Sequence, residues 1–198
     1  MGKQVDARGL ACPQPVILTK KALEELNDRE GLTTIVDNEV AKENVLKLAK
    51  SMNYSVNVRE QDGYYYIDIF KGLEPEEKKH VQKEVLNGDT ILMITTDVFG
   101  KGDEELGKIL MKNFLYSLSE FDNLPKSVIF INTGVFLTTE GSPVLDYLKG
   151  MEDKGVEILS CGTCLDFYKL KEKLMVGKVS NMYAIVEKIL SAANTIKI

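Results

Sequence analysis

The second half of the chain alternates short apolar segments with longer amphipathic ones, and this alternation restricts the fold more than any other feature. The apolar segments are uninterrupted and lie at residues 90–95, 127–132 and 157–160. Apolar residues at helical spacing follow each of them, at residues 103–120, 143–154 and 182–193. Strands that are apolar on both sides must be covered on both faces. The pattern therefore predicts an α/β domain with a three-layer parallel sheet, which residues 195–198 close as a last strand.

The beginning of the chain has a different pattern. Strands are predicted at residues 4–6 and 32–36, helices at 12–27 and after Asp37 or Asn38, and a hairpin at 54–60 and 64–71. This order predicts a βαβαββ two-layer sandwich, with both helices on one face of the sheet. Residues 73–88 are polar and lack an apolar stripe. We therefore predict a linker there, between one domain at residues 1–72 and another at residues 89–198.

Composition and charge exclude several classes of protein. Apolar residues make up 44% of the chain and charged residues 28%, as in globular proteins that bury a core. No apolar run approaches the ~20 residues of a membrane span, and the first 30 residues lack the pattern of a secretory signal, so we expect a cytosolic protein without a membrane span. The formal net charge of −5 is spread along the chain, which disfavours nucleic acid as a partner.

The first of the three cysteines has an unusual setting, Cys12-Pro13-Gln14-Pro15. Because prolines suit the start of a helix, we expect Cys12 at the N-cap, facing the positive end of the helix dipole. The amides of Gln14 and Val16 can then point at the sulfur, while the two prolines add rigidity. This setting favours a reactive thiolate. The alternative is a small apolar core residue beside an ordinary helix start.

Cys161 and Cys164 form a second candidate site, at the end of a predicted strand. The carboxyl edge of a parallel sheet is where α/β folds bind and react. Two thiols at this spacing can form a disulfide, pass on a persulfide or supply half of a zinc site; they can also be two buried core residues. A zinc site would need Cys12 and the single histidine, His80, so we expect no metal. Only a short turn is predicted after Cys164, which disfavours a thioredoxin-like motif.

The residues around Cys12 resemble a known family. The segment Val5-Asp6-Ala7-Arg8-Gly9-Leu10-Ala11-Cys12-Pro13-Gln14-Pro15, followed by Lys20 and Lys21, is similar to the signature of the SirA/TusA family of sulfur carriers. The resemblance covers residues 1–72 and implies the βαβαββ fold. It also implies that Cys12 carries sulfur as a persulfide, which it accepts from a cysteine desulfurase or another donor and passes to the next thiol.

Residues 89–198 resemble the DsrE-like domains. The resemblance rests on the cysteine pair and on the segment Gly100-Lys101-Gly102-Asp103-Glu104-Glu105-Leu106-Gly107. It implies a reactive cysteine at the carboxyl end of the sheet and a homo-oligomer formed through this domain. The acids after Lys101 favour helix capping over phosphate binding, and we predict that Phe99, Gly100 and Gly102 cover the cysteine pocket. The two domains together are similar to the YedF proteins, a family tied to selenium metabolism.

The resulting hypothesis is a carrier of sulfur or selenium and, if it is an enzyme, a sulfurtransferase-like one. Cys12 receives the atom from a donor protein as a persulfide or selenosulfide. One cysteine of the pair then accepts it, and the other releases it by forming a disulfide. Cys161 is the preferred carrier of the pair because it ends the strand. The expected partners are the donor and a downstream thiol acceptor, and no cofactor is expected.

Two alternative functions remain open. The first is a thiol–disulfide redox module or chalcogen-sensing regulator, in which Cys161 and Cys164 switch between dithiol and disulfide and thereby change the binding of a partner. The second is a zinc-binding interaction module. A reduction potential near the cytosolic glutathione poise without sulfur uptake favours the first, and metal found in the purified protein favours the second.

Overall fold

The computed structural model describes residues 3–27, 30–71 and 89–198 of the chain. The chain divides into two compact units, Met1–His80 and Val81–Ile198, which are described separately. The predicted linker at residues 73–88 and the single histidine, His80, lie outside the described residues.

The first unit contains one sheet and two helices. Its elements are β1 (Lys3–Asp6), α1 (Gln14–Glu24), β2 (Gly31–Val36), α2 (Glu39–Ser51), β3 (Tyr54–Gln61) and β4 (Tyr64–Lys71). The strand order across the sheet is β1-β2-β4-β3, in which only the β1–β2 pair is parallel. The predicted βαβαββ order is confirmed.

Both helices of this unit pack on one face of the sheet. Leu23 from α1 and Val45 and Ala49 from α2 join Leu32 and Ile67 from the strands in one buried cluster. The apolar residues of α2 recur every four positions, so they form a single stripe along the helix. The two-layer sandwich follows from this stripe.

The second unit contains five strands. Its elements are β5 (Thr90–Ile94), α3 (Glu104–Ser119), β6 (Ser127–Phe130), α4 (Leu145–Asp153), β7 (Glu157–Cys161), α5 (Gly162–Phe167), β8 (Lys178–Ser180), α6 (Met182–Ser191) and β9 (Asn194–Lys197). Short 3₁₀ helices lie at Asn132–Thr138 and Lys171–Lys173. The order across the sheet is β8-β7-β6-β5-β9, and every pairing is parallel.

This sheet is covered on both faces, so the predicted three layers are confirmed. Leu92 and Val128 point to one side, where they meet Leu115 of α3 and other helix residues in a buried cluster. The neighbouring strand residues Ile91 and Ile129 point to the opposite side and belong to a second buried cluster, which α6 completes. Alternate strand residues thus fill two separate cores.

Three short elements in this unit differ from the sequence prediction. Strand β6 ends at Phe130 instead of residue 132, because Asn132 has a φ of 51° and turns the chain into a 3₁₀ helix. Strand β8 was not predicted; its three residues are too few for a periodic signal. The residues after Cys161 form α5, a helix of six residues where only a turn was predicted. A helix of that length shows no amphipathic period.

Candidate functional site

The first cysteine lies in the loop between β1 and α1, and its side chain is exposed. The loop is tied to the end of β2 at two points. The Ala7 N–H donates a hydrogen bond to the carbonyl of Ile35 at 2.9 Å, and the Gly9 N–H donates one to the Asp37 carboxylate at 2.6 Å. Gly9 has a φ of 72°, which glycine adopts without a steric penalty. These bonds fix the loop at the junction of β2 and α2.

Acidic groups on either side of this loop are stabilised in their charged form. The guanidinium of Arg8 donates to the Asp6 carboxylate at 2.8 Å and lowers the pKa of Asp6 to about 2. The same guanidinium lies over the ring of Tyr64, 4.8 Å from its centroid. The N–H of Gly9 is the main cause that lowers the pKa of Asp37. The cation nearest to the cysteine in this loop is therefore already engaged.

The start of α1 differs from the sequence prediction. Its N-cap is Pro13, and Cys12 precedes that residue through a cis peptide bond. The N–H of Gln14 donates to the carbonyl of Ala11 at 2.9 Å, and the N–H of Val16 donates to the carbonyl of Pro13 at 3.1 Å. The prediction that these two amides point at the sulfur is wrong, because the turn before the helix already uses them. The thiol lies beside the helix start and not on its cap.

A pocket of about 170 Å³ opens beside Cys12, between the loop and the two helices. Its lining is uncharged and contains Leu10, Ala11, Cys12, Pro15, Val16, Asn38, Val40, Ala41 and Asn44. The side-chain amide of Asn44 donates a long hydrogen bond to the Cys12 sulfur, with 4.0 Å between Nδ2 and Sγ. Asn44 was not predicted from the sequence. The sequence feature that could have indicated Asn44 is its position as a polar residue beside the apolar stripe of α2.

The second site lies at the carboxyl end of β7. Cys161 is the last strand residue and also the N-cap of α5, and Cys164 lies in the first turn of that helix. Both cysteines are free. Cys161 is only 1% exposed because it points, like Leu159, into the core on the α6 face, whereas Cys164 is partly exposed. This burial argues against the sequence-based preference for Cys161 as the second carrier, since an incoming sulfur atom cannot reach it.

A backbone amide contacts the sulfur of Cys164. The N–H of Asn132, in the turn after β6, donates a hydrogen bond to Cys164 Sγ at 3.1 Å. Burial raises the pKa of the Cys164 thiol above its ordinary value; the Asn132 hydrogen bond opposes this shift, and the neighbouring Cys161 adds to it. Cys164 also packs against the buried cluster that contains Cys161, and a disulfide or a passed sulfur atom requires that the two thiols lie near each other.

Aromatic side chains pack against Tyr168, whose hydroxyl contacts the residue that donates to Cys164. The Tyr168 hydroxyl donates a hydrogen bond to Asn132 Oδ1 at 2.9 Å. The Tyr168 ring packs against Phe136, with centroids 4.9 Å apart, and against the edge of Phe167 at 5.1 Å. Neither Asn132 nor Tyr168 was predicted from the sequence as part of the site. The Asn-Thr-Gly segment after β6 is a turn signal, but nothing in the sequence connects it to the cysteines.

The loop predicted to cover the cysteine pocket has other contacts. The Phe99 ring packs against Phe114 of α3 at 5.2 Å, and the Phe99 N–H donates to the carbonyl of Gly107 at 2.9 Å. Gly100 and Gly102 both have positive φ, at 81° and 154°. Helix capping is confirmed here, since the side chain of the next residue, Asp103, accepts the N–H of Leu106. Coverage of the cysteines by Phe99, Gly100 and Gly102 remains a prediction.

Within residues 3–27, 30–71 and 89–198, no group of three or more His, Cys, Asp or Glu side chains is arranged to hold a metal ion. No helix in the same part of the chain is long and apolar enough to cross a membrane.

The fold and the cysteines define a two-domain α/β thiol protein, with one exposed cysteine on a βαβαββ domain and a cysteine pair at the edge of a parallel sheet. Residues 3–71 match the family model described as sulfurtransferase TusA, and residues 93–198 match that of the DsrE/DsrF-like family. The chain belongs to both families, to each through one of its domains.

Relatives match the first domain. The chain is 44% identical, over 59 residues, to MJ0990 of Methanocaldococcus jannaschii, named as a candidate sulfur carrier protein, with 30% of this chain and 79% of the relative covered. It is 35% identical over 69 residues to YrkI of Bacillus subtilis, named in the same way, with 35% and 87% covered. Among solved structures, the chain matches a SirA-like protein from Desulfitobacterium hafniense at 39% sequence identity and a TM-score of 0.34. The match covers 35% of this chain and 96% of that protein.

Proposed function

We propose that the protein is a carrier of sulfur, in which Cys12 takes up a sulfur atom as a persulfide and passes it to the cysteine pair. The observation that carries the proposal is the exposed Cys12 thiol, beside an uncharged pocket in a domain of the TusA family. An exposed thiol on a fixed loop can approach a partner protein without rearrangement of the core. Sulfur carriers also need no cofactor, because the cysteine itself is the nucleophile.

The first step is a thiolate attack. The Cys12 thiolate attacks the outer sulfur of a donor persulfide, a new S–S bond forms at Cys12, and the donor cysteine leaves as a thiolate. The outer sulfur and its proton move to Cys12, so no oxidant or reductant is consumed. The proposed donor is a cysteine desulfurase or another protein that carries a persulfide. The side-chain amide of Asn44 lies 4.0 Å from the sulfur and lines the same pocket as Cys12.

The second step transfers the atom to Cys164. Its thiolate attacks the outer sulfur on Cys12, and Cys12 leaves as a thiolate. Cys161 then attacks Sγ of Cys164, a disulfide forms between the two residues, and the outer atom leaves as hydrosulfide. The partial exposure of Cys164 and the burial of Cys161 support this division of roles. An external thiol reductant then reduces the disulfide for another cycle. If Cys161 does not attack the persulfide on Cys164, a downstream thiol accepts the outer atom instead.

Three finer parts of the hypothesis belong to this proposal. The cargo is sulfur or selenium, and the resemblance to the YedF proteins supports selenium. The proposed location is the cytosol, because its reducing conditions keep cysteines such as these three in the free thiol form. Association of the second domain into a homo-oligomer is supported by exposed apolar side chains on α6, among them Tyr183 and Leu190, and light scattering of the full chain tests it.

The experiment is a loading assay with mass mapping. The full chain is incubated with a cysteine desulfurase and cysteine, without reductant, and the peptides are searched for one added sulfur atom. We expect the atom on Cys12 in the wild type, and its loss from every cysteine in Cys12→Ser. In Cys161→Ser the atom should also accumulate on Cys164, because the resolving thiol is absent. A parallel assay with a selenium source tests the cargo.

A matched control separates the site from thiol exposure alone. Ser51→Cys in the Cys12→Ser background gives the same domain another exposed thiol, at the end of α2. This variant should take up no sulfur. Failure of the wild type to gain sulfur on Cys12 contradicts the proposal. If the pair then forms a disulfide at the glutathione poise and changes the binding of a partner, the redox or sensing function replaces it.

A further inference from the structure

The turn after β6 holds the sulfur of Cys164 through a chain of two hydrogen bonds. The Tyr168 hydroxyl donates to the Asn132 side chain at 2.9 Å, and the Asn132 backbone N–H donates to Cys164 Sγ at 3.1 Å. The first bond connects the residue that follows α5 to the turn, and the second connects the turn to the helix itself. Both ends of the short helix are therefore joined to Asn132.

Asparagine suits this position for two reasons. Its φ of 51° lies in the left-handed region, which asparagine tolerates better than most residues. Its side chain supplies the acceptor for Tyr168. The turn behind it cannot relax inward, because Gly134 packs so closely on β5 that an added Cβ would lie 2.5 Å from the carbonyl oxygen of Ile94. The direction of the Asn132 N–H is therefore set by the turn and by the anchored side chain.

The tyrosine that anchors this turn is itself fixed. Its ring lies between Phe136, which belongs to the 3₁₀ helix that Asn132 begins, and Phe167 at the end of α5. The Asn132 side chain is exposed. A hydrogen bond between exposed groups adds little to the free energy of unfolding. The arrangement is thus better explained by the sulfur that it contacts than by stability.

From this arrangement we propose that Asn132 and Tyr168 are positioning residues for the sulfur of Cys164. This inference rests on the proposed function, in which the Cys164 thiolate attacks the persulfide on Cys12. A backbone N–H stabilises an anionic sulfur more than a neutral thiol, and it does so most strongly where water is partly excluded. Asn132 therefore increases the fraction of Cys164 that can attack, in opposition to the burial of that thiol. Tyr168 acts only through Asn132.

The test uses the full chain with Cys12→Ser and Cys161→Ser, which leaves Cys164 as the single thiol. Tyr168→Phe removes the hydroxyl and keeps the ring. Asn132→Gly keeps the backbone N–H and tolerates the positive φ, but removes the side-chain acceptor. The measurement is the pH profile of alkylation by iodoacetamide. We expect each variant to move the Cys164 profile to higher pH and to slow alkylation near neutral pH by about three- to tenfold.

The double variant and a matched control make the test specific. Because Tyr168 acts through Asn132, the double variant should be no slower than the slower single variant. Tyr183→Phe removes a hydroxyl from an exposed tyrosine on α6 and should leave the profile unchanged. The inference is overturned if Tyr168→Phe keeps the parent profile, or if the two single effects multiply in the double variant.

Sulfur uptake separates this inference from the proposed function. The same variants are exposed to glutathione persulfide, and sulfur on Cys164 is measured by mass. If the parent takes up sulfur, and if Tyr168→Phe slows uptake by the same factor as it slows alkylation, the result supports both the positioning role and the proposed function. A shifted pH profile without uptake by any variant keeps the positioning role and contradicts the role of Cys164 as the acceptor of the sulfur atom. Normal uptake with an unshifted profile overturns the positioning role alone.

Discussion

Replacement of Asn44 by aspartate tests whether the pocket beside Cys12 supports an anionic sulfur. The amide nitrogen lies 4.0 Å from Sγ, so a carboxylate at this position brings a negative charge to about the same distance. Two unit charges 4 Å apart repel by about 1 kcal/mol in bulk water and by about 4 kcal/mol at the effective dielectric constant of a protein surface. Because Cys12 is exposed, the lower figure applies. It corresponds to about fivefold less anionic sulfur.

The assay is the rate at which iodoacetamide alkylates Cys12 near neutral pH, in a chain with Cys161→Ser and Cys164→Ser. Asn44→Asp should react about fivefold more slowly than the parent at low salt. Asn44→Leu removes only a long, exposed hydrogen bond and should slow the reaction by about twofold or less. At ~1 M salt the Debye length falls to ~3 Å, so the rate of Asn44→Asp should approach that of Asn44→Leu.

The control is Gln61→Glu, which makes the same amide-to-carboxylate change at an exposed position at the end of β3. Its rate should equal that of the parent. Equal rates for Asn44→Asp and Asn44→Leu at low salt would refute the electrostatic argument. An unchanged rate for Asn44→Asp would mean that the amide does not face the sulfur in solution.

Two further predictions concern the framework of the two domains. The pKa of Asp37 is lowered in the folded protein, so the hydrogen bond that its carboxylate accepts from Gly9 should be present above pH ~4 and be lost as the pH falls through the pKa of folded Asp37. The NMR chemical shift of the Gly9 amide proton should change over this pH range in the wild type but not in Asp37→Asn. Gly177→Ala, at a φ of 79° and with a Cβ only 2.5 Å from a carbonyl oxygen of β7, should lower the free energy of unfolding by about 2 kcal/mol or more, whereas Gly150→Ala, in open space on α4, should raise it by about 0.5–1 kcal/mol. Urea titration measures the free energy of unfolding of both alanine variants, and equal effects of the two substitutions would contradict the steric argument.

The fold was predictable because long elements carry a periodic signal. The apolar stripe of α2 indicates the two layers of the first domain. The apolar strands β5, β6 and β7 indicate a parallel sheet that is covered on both faces in the second domain. The signal fails for short elements. Strand β8 and helix α5 are held by contacts with their neighbours, such as the close approach of Gly162 to Val179, and these contacts join residues far apart in sequence.

The candidate site was predictable in its thiols and not in their environment. The prolines after Cys12 indicate a helix start, but the turn that precedes it uses the amides of Gln14 and Val16 for its own carbonyls. A helix start donates to a side chain only when the turn before it leaves the amides free. Local sequence does not encode that choice. Likewise, only the register of β6 and β7 brings Asn132 to Cys164.

The two thiol sites differ in what stabilises a charged sulfur, and this difference suits different tasks. At Cys12, the sulfur is exposed to water and a side-chain amide contacts it at 4.0 Å. In the described part of that domain there is no second cysteine, so a persulfide formed there cannot be discharged as a disulfide within the domain. At Cys164, a backbone N–H contacts the sulfur and a second thiol is adjacent. In the proposed function, a persulfide at that site should be short-lived, because the neighbouring Cys161 can displace its outer atom. The proposed carrier thus holds sulfur on the first domain and releases it on the second.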